Sequence, residues 1–446
     1  MELKLRNNAA RDNMLGQLLR ILSFLALDSL ISYIFLNLQV QHVGSSFGYQ
    51  YMTAWSIVGS YNEIGGIFTG ALRTGIIVAM ALAYGKEDTQ EIHKVTITTM
   101  FIMLGMMIIS PVTYILGGMG YLPAMGASPY LTDYARDLIV YNTITLPFDM
   151  VRMWITALML GAGDAKRPLL INLCYNGLQL LISMVLINMF QMSYSGVAIA
   201  QIAAALISTG LAILLLCLEK EPYKLSFRPM CFSGKVVLTL IATALPLLAI
   251  NCFGFADQLA MQSTTNLFRF EDIESITPAN GFCNMQTSII SMISAALMIV
   301  MAHNCGHGAR MYCKKLLGYS SRIGLIFCCM SMMLLIYLDR FVVSDFTNWL
   351  SLPMLAVIFG SFASVYQSQL IAVGRSWIVL LVNLIFVAVM TLCYIMIIID
   401  GTVALASVYV PKMICYAIMT PILFCTLRFG KINKLPDEPV ETTTEA

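Results

Sequence analysis

Along almost the whole chain, apolar runs of twenty or more residues alternate with short polar breaks. Each run is long enough for a helix to cross a hydrocarbon layer of about 30 Å. In the first half the runs fall at roughly 14–38, 51–83, 95–117, 131–158, 168–190 and 194–217. In the second they fall at roughly 236–262, 279–302, 317–338, 351–373, 377–399 and 403–426. The pattern predicts an all-α integral membrane protein of twelve transmembrane helices. No loop leaves room for a folded soluble domain. Span 2 is long enough to require tilt or a kink, which Gly59, Gly65, Gly66 and Gly70 would permit.

Composition agrees with the pattern. Apolar residues make up 59% and charged residues 11%, a balance few soluble folds tolerate. The net charge of +2 gives no argument for nucleic acid as a partner. With the amino terminus inside, the cytoplasmic loops and termini hold eighteen Lys and Arg, from Lys4 to Lys434, and the opposite loops only Arg136, Arg269 and Arg340. A miscounted span would invert part of that asymmetry, so it supports twelve spans with both termini cytoplasmic. The first segment is too long for a secretory signal and lacks a cleavage site. None of the twelve cysteines is placed to form an extracellular disulfide. No nucleophile motif, P-loop or dinucleotide fingerprint is present, so the chain does not read as an enzyme or as an ATP-driven pump.

One phrase occurs twice. Gly161-Ala-Gly163-Asp-Ala-Lys-Arg-Pro168-Leu-Leu-Ile-Asn172 recurs as Ala372-Val-Gly374-Arg375-Ser-Trp-Ile-Val379-Leu-Leu-Val-Asn383, at a constant offset of about half the chain. Six spans is an even number, so the two copies share one orientation and are related by an axis along the membrane normal. The expected domains are an amino-terminal six-helix bundle at 1–218, a basic cytoplasmic linker at 219–235, a carboxy-terminal bundle at 236–427, and a disordered acidic tail at 428–446. Gly-containing hinge loops follow the second and fourth span of each half, at Gly85, Gly163, Gly306 and Gly374, where glycine allows left-handed turns.

These segments, in their order and spacing, resemble the multidrug and toxic compound extrusion (MATE) family. His42-Val43-Gly44 closes span 1 as a family phrase does. Leu160-Gly-Ala-Gly-Asp-Ala-Lys-Arg-Pro168 is similar to the family's Arg-Gly-x-Gly-Asp-Thr-x-x-Pro, and Ser195-Gly196-Val197-Ala198 and Ala244-Leu245-Pro246 match the starts of spans 6 and 7. The resemblance implies two pseudo-symmetric bundles in a V. It also implies alternating-access export of amphipathic, often cationic compounds, coupled to a proton or sodium gradient. The chain departs from the family at its usual coupling carboxylates. Asn176, Gln179 and Ser183 stand at the span 5 pattern that ends in Asp, Leu36 precedes Asn37 near the end of span 1, and Gly254 replaces a span 7 Glu.

An ionisable side chain in a span is a functional candidate by default. The ion-coupling candidates are Asp28 in span 1, Asp257 in span 7 and Glu63 in span 2; Asp257, near an outer end, could equally be a hydrated surface carboxylate. Asp149 and Arg152, three residues apart on span 4, suit a structural ion pair, and Arg73 reads as an anchor near the inner side. Candidates to line the substrate cavity are Asn172, Asn176, Gln179, Asn251, Gln258, Asn284 and Lys412. His303, Cys305, His307 and Cys313 have residue types that suit zinc but fit no standard spacing, so no metal is expected. The reading is a monomeric exporter in the plasma (inner) membrane, with a small amphipathic substrate, the lipid bilayer as surroundings and no cofactor beyond the coupling ion. Two alternatives stand beside it: a flippase for a lipid-linked saccharide or similar amphiphile, and a non-transporting membrane receptor or scaffold.

Overall fold

The computed structural model describes residues 14–124, 129–218, 223, 232–265, 270–308, 310–341, 344–400 and 405–429. They form α1 (Met14–Phe47), α2 (Tyr49–Gly85), α3 (Thr89–Ala124), α4 (Pro129–Gly161), α5 (Lys166–Asn188) and α6 (Ser195–Cys217). The second half supplies α7 (Gly234–Thr265), α8 (Phe270–His307), α9 (Arg310–Phe341), α10 (Ser344–Ala372), α11 (Ser376–Asp400) and α12 (Leu405–Phe429). All twelve are long and apolar enough to cross a membrane. Backbone donors and acceptors in hydrocarbon must be satisfied within each segment, which is why apolar runs of this length become helices.

The helices gather into two compact units. One is built on Leu19–Ile241, the other on residues from 242 onward together with residues 14–18. In the first unit α4 packs on α2, α3, α5 and α6; in the second α10 packs on α8, α9, α11 and α12. The fourth helix of each half is thus the hub of its unit. By contrast α1 is thinly packed along its most apolar 18-residue stretch, of which only 6% is buried.

The repeated phrase is repeated down to its hydrogen bonds. Gly163 N–H donates to Leu160 and Asp164 N–H to Met159; Gly374 N–H donates to Ile371 and Arg375 N–H to Leu370. Both are Schellman caps, with the glycines at φ 82° and 78° supplying the left-handed residue. Asp164 then accepts from the Lys166 backbone N–H at 3.1 Å and pairs with Arg167 at 2.9 Å, so one carboxylate ends the turn and starts α5. Pro168 costs nothing in that first turn, where its missing N–H has no intrahelical partner. The other two hinge loops differ from expectation. Gly85 is the last residue of α2 and Gly306 lies inside α8, while the left-handed residues are Glu87 and Gly308. α8 runs one residue past its glycine, whereas α2 ends on its own, and in both loops the left-handed residue lies two positions after the expected glycine.

Close approach of α2 and α4 depends on Gly161. A Cβ built there would lie 2.7 Å from the Met80 Cβ and 2.8 Å from the Ile77 carbonyl oxygen. Backbone cannot rotate away as a side chain can, so Gly161→Ala is expected to destabilise the protein by about 1–3 kcal/mol. Equilibrium unfolding in mixed micelles checks this, with Gly210→Ala as control. A Cβ at Gly210 meets nothing within 4 Å, so equal losses in the two variants would refute the packing argument.

Candidate functional site

Polar residues of the amino-terminal unit converge from all six of its helices. The convergence begins where α1 meets α5. Asn172 Nδ2 donates to Asp28 Oδ2 at 2.8 Å, and four residues on, Asn176 Nδ2 donates to Ser32 Oγ at 3.0 Å. Two equal steps of four, each pointing in the same chain direction, are what parallel helices in register produce. Further along α1, Val43 and Phe47 pack into the core of the same unit, Phe47 edge-on to Tyr194 at 5.9 Å between ring centroids.

Asp28 is only half satisfied. Its Oδ1 is buried without a hydrogen-bond partner, and so is Nε of Arg73 on α2. Asp28 lies within electrostatic reach of Arg73 and Arg152. On α4, Arg152 Nη2 lies 2.7 Å from Asp149 Oδ1. The Arg152 guanidinium also lies 3.7 Å from the Tyr175 ring centroid and donates to Ser208 Oγ on α6 at 3.4 Å. Tyr175 is on α5 between Asn172 and Asn176, so the α1–α5 ladder and the α4 ion pair share one neighbourhood.

The chain of contacts continues through neutral groups. Tyr175 is hydrogen-bonded to Gln201 on α6, and Gln201 Nε2 donates to Asn142 Oδ1 on α4 at 2.9 Å. Asn142 Nδ2 reaches Tyr114 Oη and Asn62 Oδ1, each at 3.4 Å, and Tyr114 donates to Asn62. Gln179 and Ser183 are buried further along α5, Ser183 without a partner for its hydroxyl. Two aspartates and two arginines balance one another in this network.

The carboxy-terminal unit has a different, uncharged network. Asn383, the repeat counterpart of Asn172, has its Oδ1 3.3 Å from Gln367 Nε2 on α10. Gln286 accepts from Ser331 at 3.4 Å, and Ser361 lies 3.5 Å from Cys328 Sγ. Asn251 and Lys412 are half-buried on α7 and α12 and both have interaction partners. The side chains of Glu63, Asp257, Gln258 and Asn284 lie outside the described residues. Around the tempting His303 segment, Cys305 and Cys313 sit 3.8 Å apart. No three metal-ligating side chains gather there or elsewhere among the described residues.

Sequence reasoning missed Ser32, Asn142, Tyr175 and Gln201. The matched spacing of Asp28 to Ser32 and of Asn172 to Asn176 was the available signal for the first.

Twelve membrane-length helices in two units, each with a polar network inside it, define a multi-pass membrane protein architecture. Residues 25–185 match the MatE family model. No curated protein matches the chain. Solved structures match over nearly the whole length. A MOP superfamily transporter from Pyrococcus furiosus, described as having a binding pocket of reverse polarity that suggests a different function, aligns with TM-score 0.86 at 13% identity, covering 97% of this chain and 99% of that one. An outward-facing multidrug resistance MATE family transporter aligns with TM-score 0.82 at 14% identity, covering 96% and 98%. A MATE in the straight conformation aligns with TM-score 0.84 at 14% identity, covering 97% and 99%. At such identities the structural likeness speaks for the fold, and the sequence match is confined to residues 25–185. The chain has the fold of the solved MATE transporters, and its residues 25–185 are similar to the MatE family.

Proposed function

We propose that the protein is a secondary active exporter of amphipathic organic compounds, cationic ones among them, working by alternating access as an antiporter driven by a proton or sodium gradient. In this reading it is a monomer of the plasma (inner) membrane with cytoplasmic termini. Asp28 carries the reading. It is a carboxylate in the middle of a membrane helix, held by one amide through one oxygen and offering the other, buried and without a hydrogen-bond partner. That free oxygen can take a proton or help to hold a sodium ion. Either event changes the charge that Asn172, Arg73 and Arg152 experience, and so changes the grip of α5 on the thinly packed α1. Binding energy spent there is a means of shifting the balance between two transporter conformations.

A second reading, a flippase for a lipid-linked saccharide or similar amphiphile, is favoured by one specific observation: the partly buried arginines Arg73 and Arg152 beside the carboxylates, which suit an anionic head. Proteoliposomes separate the two. Gradient-driven export of a fluorescent organic cation is the expected result. Movement of a fluorescent anionic lipid analogue, unaffected by imposed proton or sodium gradients, would overturn the exporter reading in favour of the flippase.

A further inference from the structure

At one end of the carboxy-terminal unit the beginning of α9 and the end of α12 leave a cavity of about 470 Å³, lined by Lys314, Leu317, Gly318, Ser321, Phe424, Arg428 and Phe429. We propose that this cavity binds the headgroup of an anionic phospholipid. The proposal does not depend on the transport reading above.

The charges come first. Lys314 and Arg428, one from each helix, are exposed on the lining, and no carboxylate is among the lining residues. Among the described residues none of the ion pairs found involves Lys314. Antiparallel alternation of α9 to α12 places Arg375, in the turn between α10 and α11, at this same end of the unit. Basic clefts between helix ends at a membrane surface attract phosphate-bearing lipid heads.

The walls then fix what kind of anion fits. The Arg428 guanidinium lies 5.9 Å from the Phe424 ring centroid and 5.8 Å from that of Phe429, contacts that brace the cation at the rim. Phe424 packs on Tyr366 at 5.4 Å between centroids, and the Tyr366 hydroxyl lies 3.0 Å from Ser321 Oγ, so the floor is braced by α10. The volume is roughly sixteen waters at about 30 Å³ each, enough for a glycerophosphate head. Toward the membrane interior the same two helices expose Leu325, Ile326, Ile418 and Ile422. A freely diffusing phosphate would gain nothing from that apolar continuation, whereas the acyl chains of a lipid would lie along it. The observations therefore favour a lipid over a soluble anion.

Gly318 provides a clean way to block the site. A Cβ there meets nothing within 4 Å, so a leucine enters the cavity rather than the protein. The test is native mass spectrometry of the full-length protein in detergent with added phosphatidylglycerol or phosphatidylcholine. Wild type should retain one phosphatidylglycerol in preference to phosphatidylcholine. The double variant Lys314→Ala/Arg428→Ala should bind it roughly thirtyfold more weakly, each surface cation being worth roughly fivefold. Gly318→Leu should lose the bound lipid with both cations intact, and unchanged thermal unfolding would show that its fold survives. Equal retention of phosphatidylglycerol by all three proteins would overturn the proposal. Displacement of the lipid by millimolar inorganic phosphate would also overturn it, making the cavity a site for a soluble anion.

Discussion

Replacing Arg152 with methionine is expected to weaken the amino-terminal unit more than any other single exchange in its polar network. The guanidinium makes three contacts at once: the ion pair with Asp149 at 2.7 Å, the stack on Tyr175 at 3.7 Å, and the bond to Ser208 at 3.4 Å. Removing it strands the Asp149 carboxylate in a membrane helix, and breaking a buried pair on one side typically costs about 3–5 kcal/mol. The two side chains keep 15% and 27% of their surface open, so the low end, about 3 kcal/mol, is the expected loss. Most of that loss is the isolated charge rather than the bond itself. The double variant Arg152→Met/Asp149→Asn should therefore recover a large part of it. Equilibrium unfolding in mixed micelles, arranged as a double-mutant cycle, reads both quantities. Strictly additive losses would mean that the pair contributes no coupling and that Arg152 acts through Tyr175 and Ser208 alone.

How much of this was visible in the sequence depends on how local each feature is. Helix positions were legible because hydropathy over some twenty residues determines whether a segment can leave water. The loop at Gly163 and its copy at Gly374 were legible because a Schellman cap uses only neighbours in sequence, and both copies carry the needed glycine. The loops at Gly85 and Gly306 were misjudged for the same local reason in reverse. Each glycine is still helical, the last residue of α2 or the last but one of α8, and Glu87 and Gly308 take the left-handed role. Asp28 was legible as a charge in the wrong place, but its partner was not. Asn172 lies 144 residues away, and no property of either segment alone announces that α1 and α5 run side by side in register. Arg73 illustrates the limit further. It read as an anchor near the inner side, yet it lies within electrostatic reach of Asp28 and keeps a buried Nε without a partner. Tyr175 and Gln201 are neutral groups on strongly apolar helices. Only the three-dimensional arrangement distinguishes them from ordinary core residues.

If the protein is the antiporter proposed above, Asp28→Asn should abolish gradient coupling while leaving the fold intact. The exchange keeps size and planarity, and an amide at position 28 can still accept from Asn172 through its carbonyl oxygen, so the α1–α5 ladder survives. What disappears is the ability to carry a negative charge and to bind a proton or cation at the free oxygen. Coupling between two ligands of one protein is commonly about 1–3 kcal/mol, or roughly 5–150-fold in the affinity of either. In proteoliposomes, the ratio of substrate flux with an imposed proton or sodium gradient to flux without one should fall from that range to about one. Gradient-independent substrate binding should change much less. Asn172→Ala makes the complementary test, because it leaves the carboxylate and removes the amide that ties it to α5. If coupling is an event at Asp28 transmitted through the helix contact, both variants lose the flux ratio, and Asp28→Asn alone also loses ion-dependent changes in substrate affinity. Should Asp28→Asn transport with an undiminished gradient dependence, the coupling carboxylate is elsewhere in the chain, and Asp28 serves only to fasten α1.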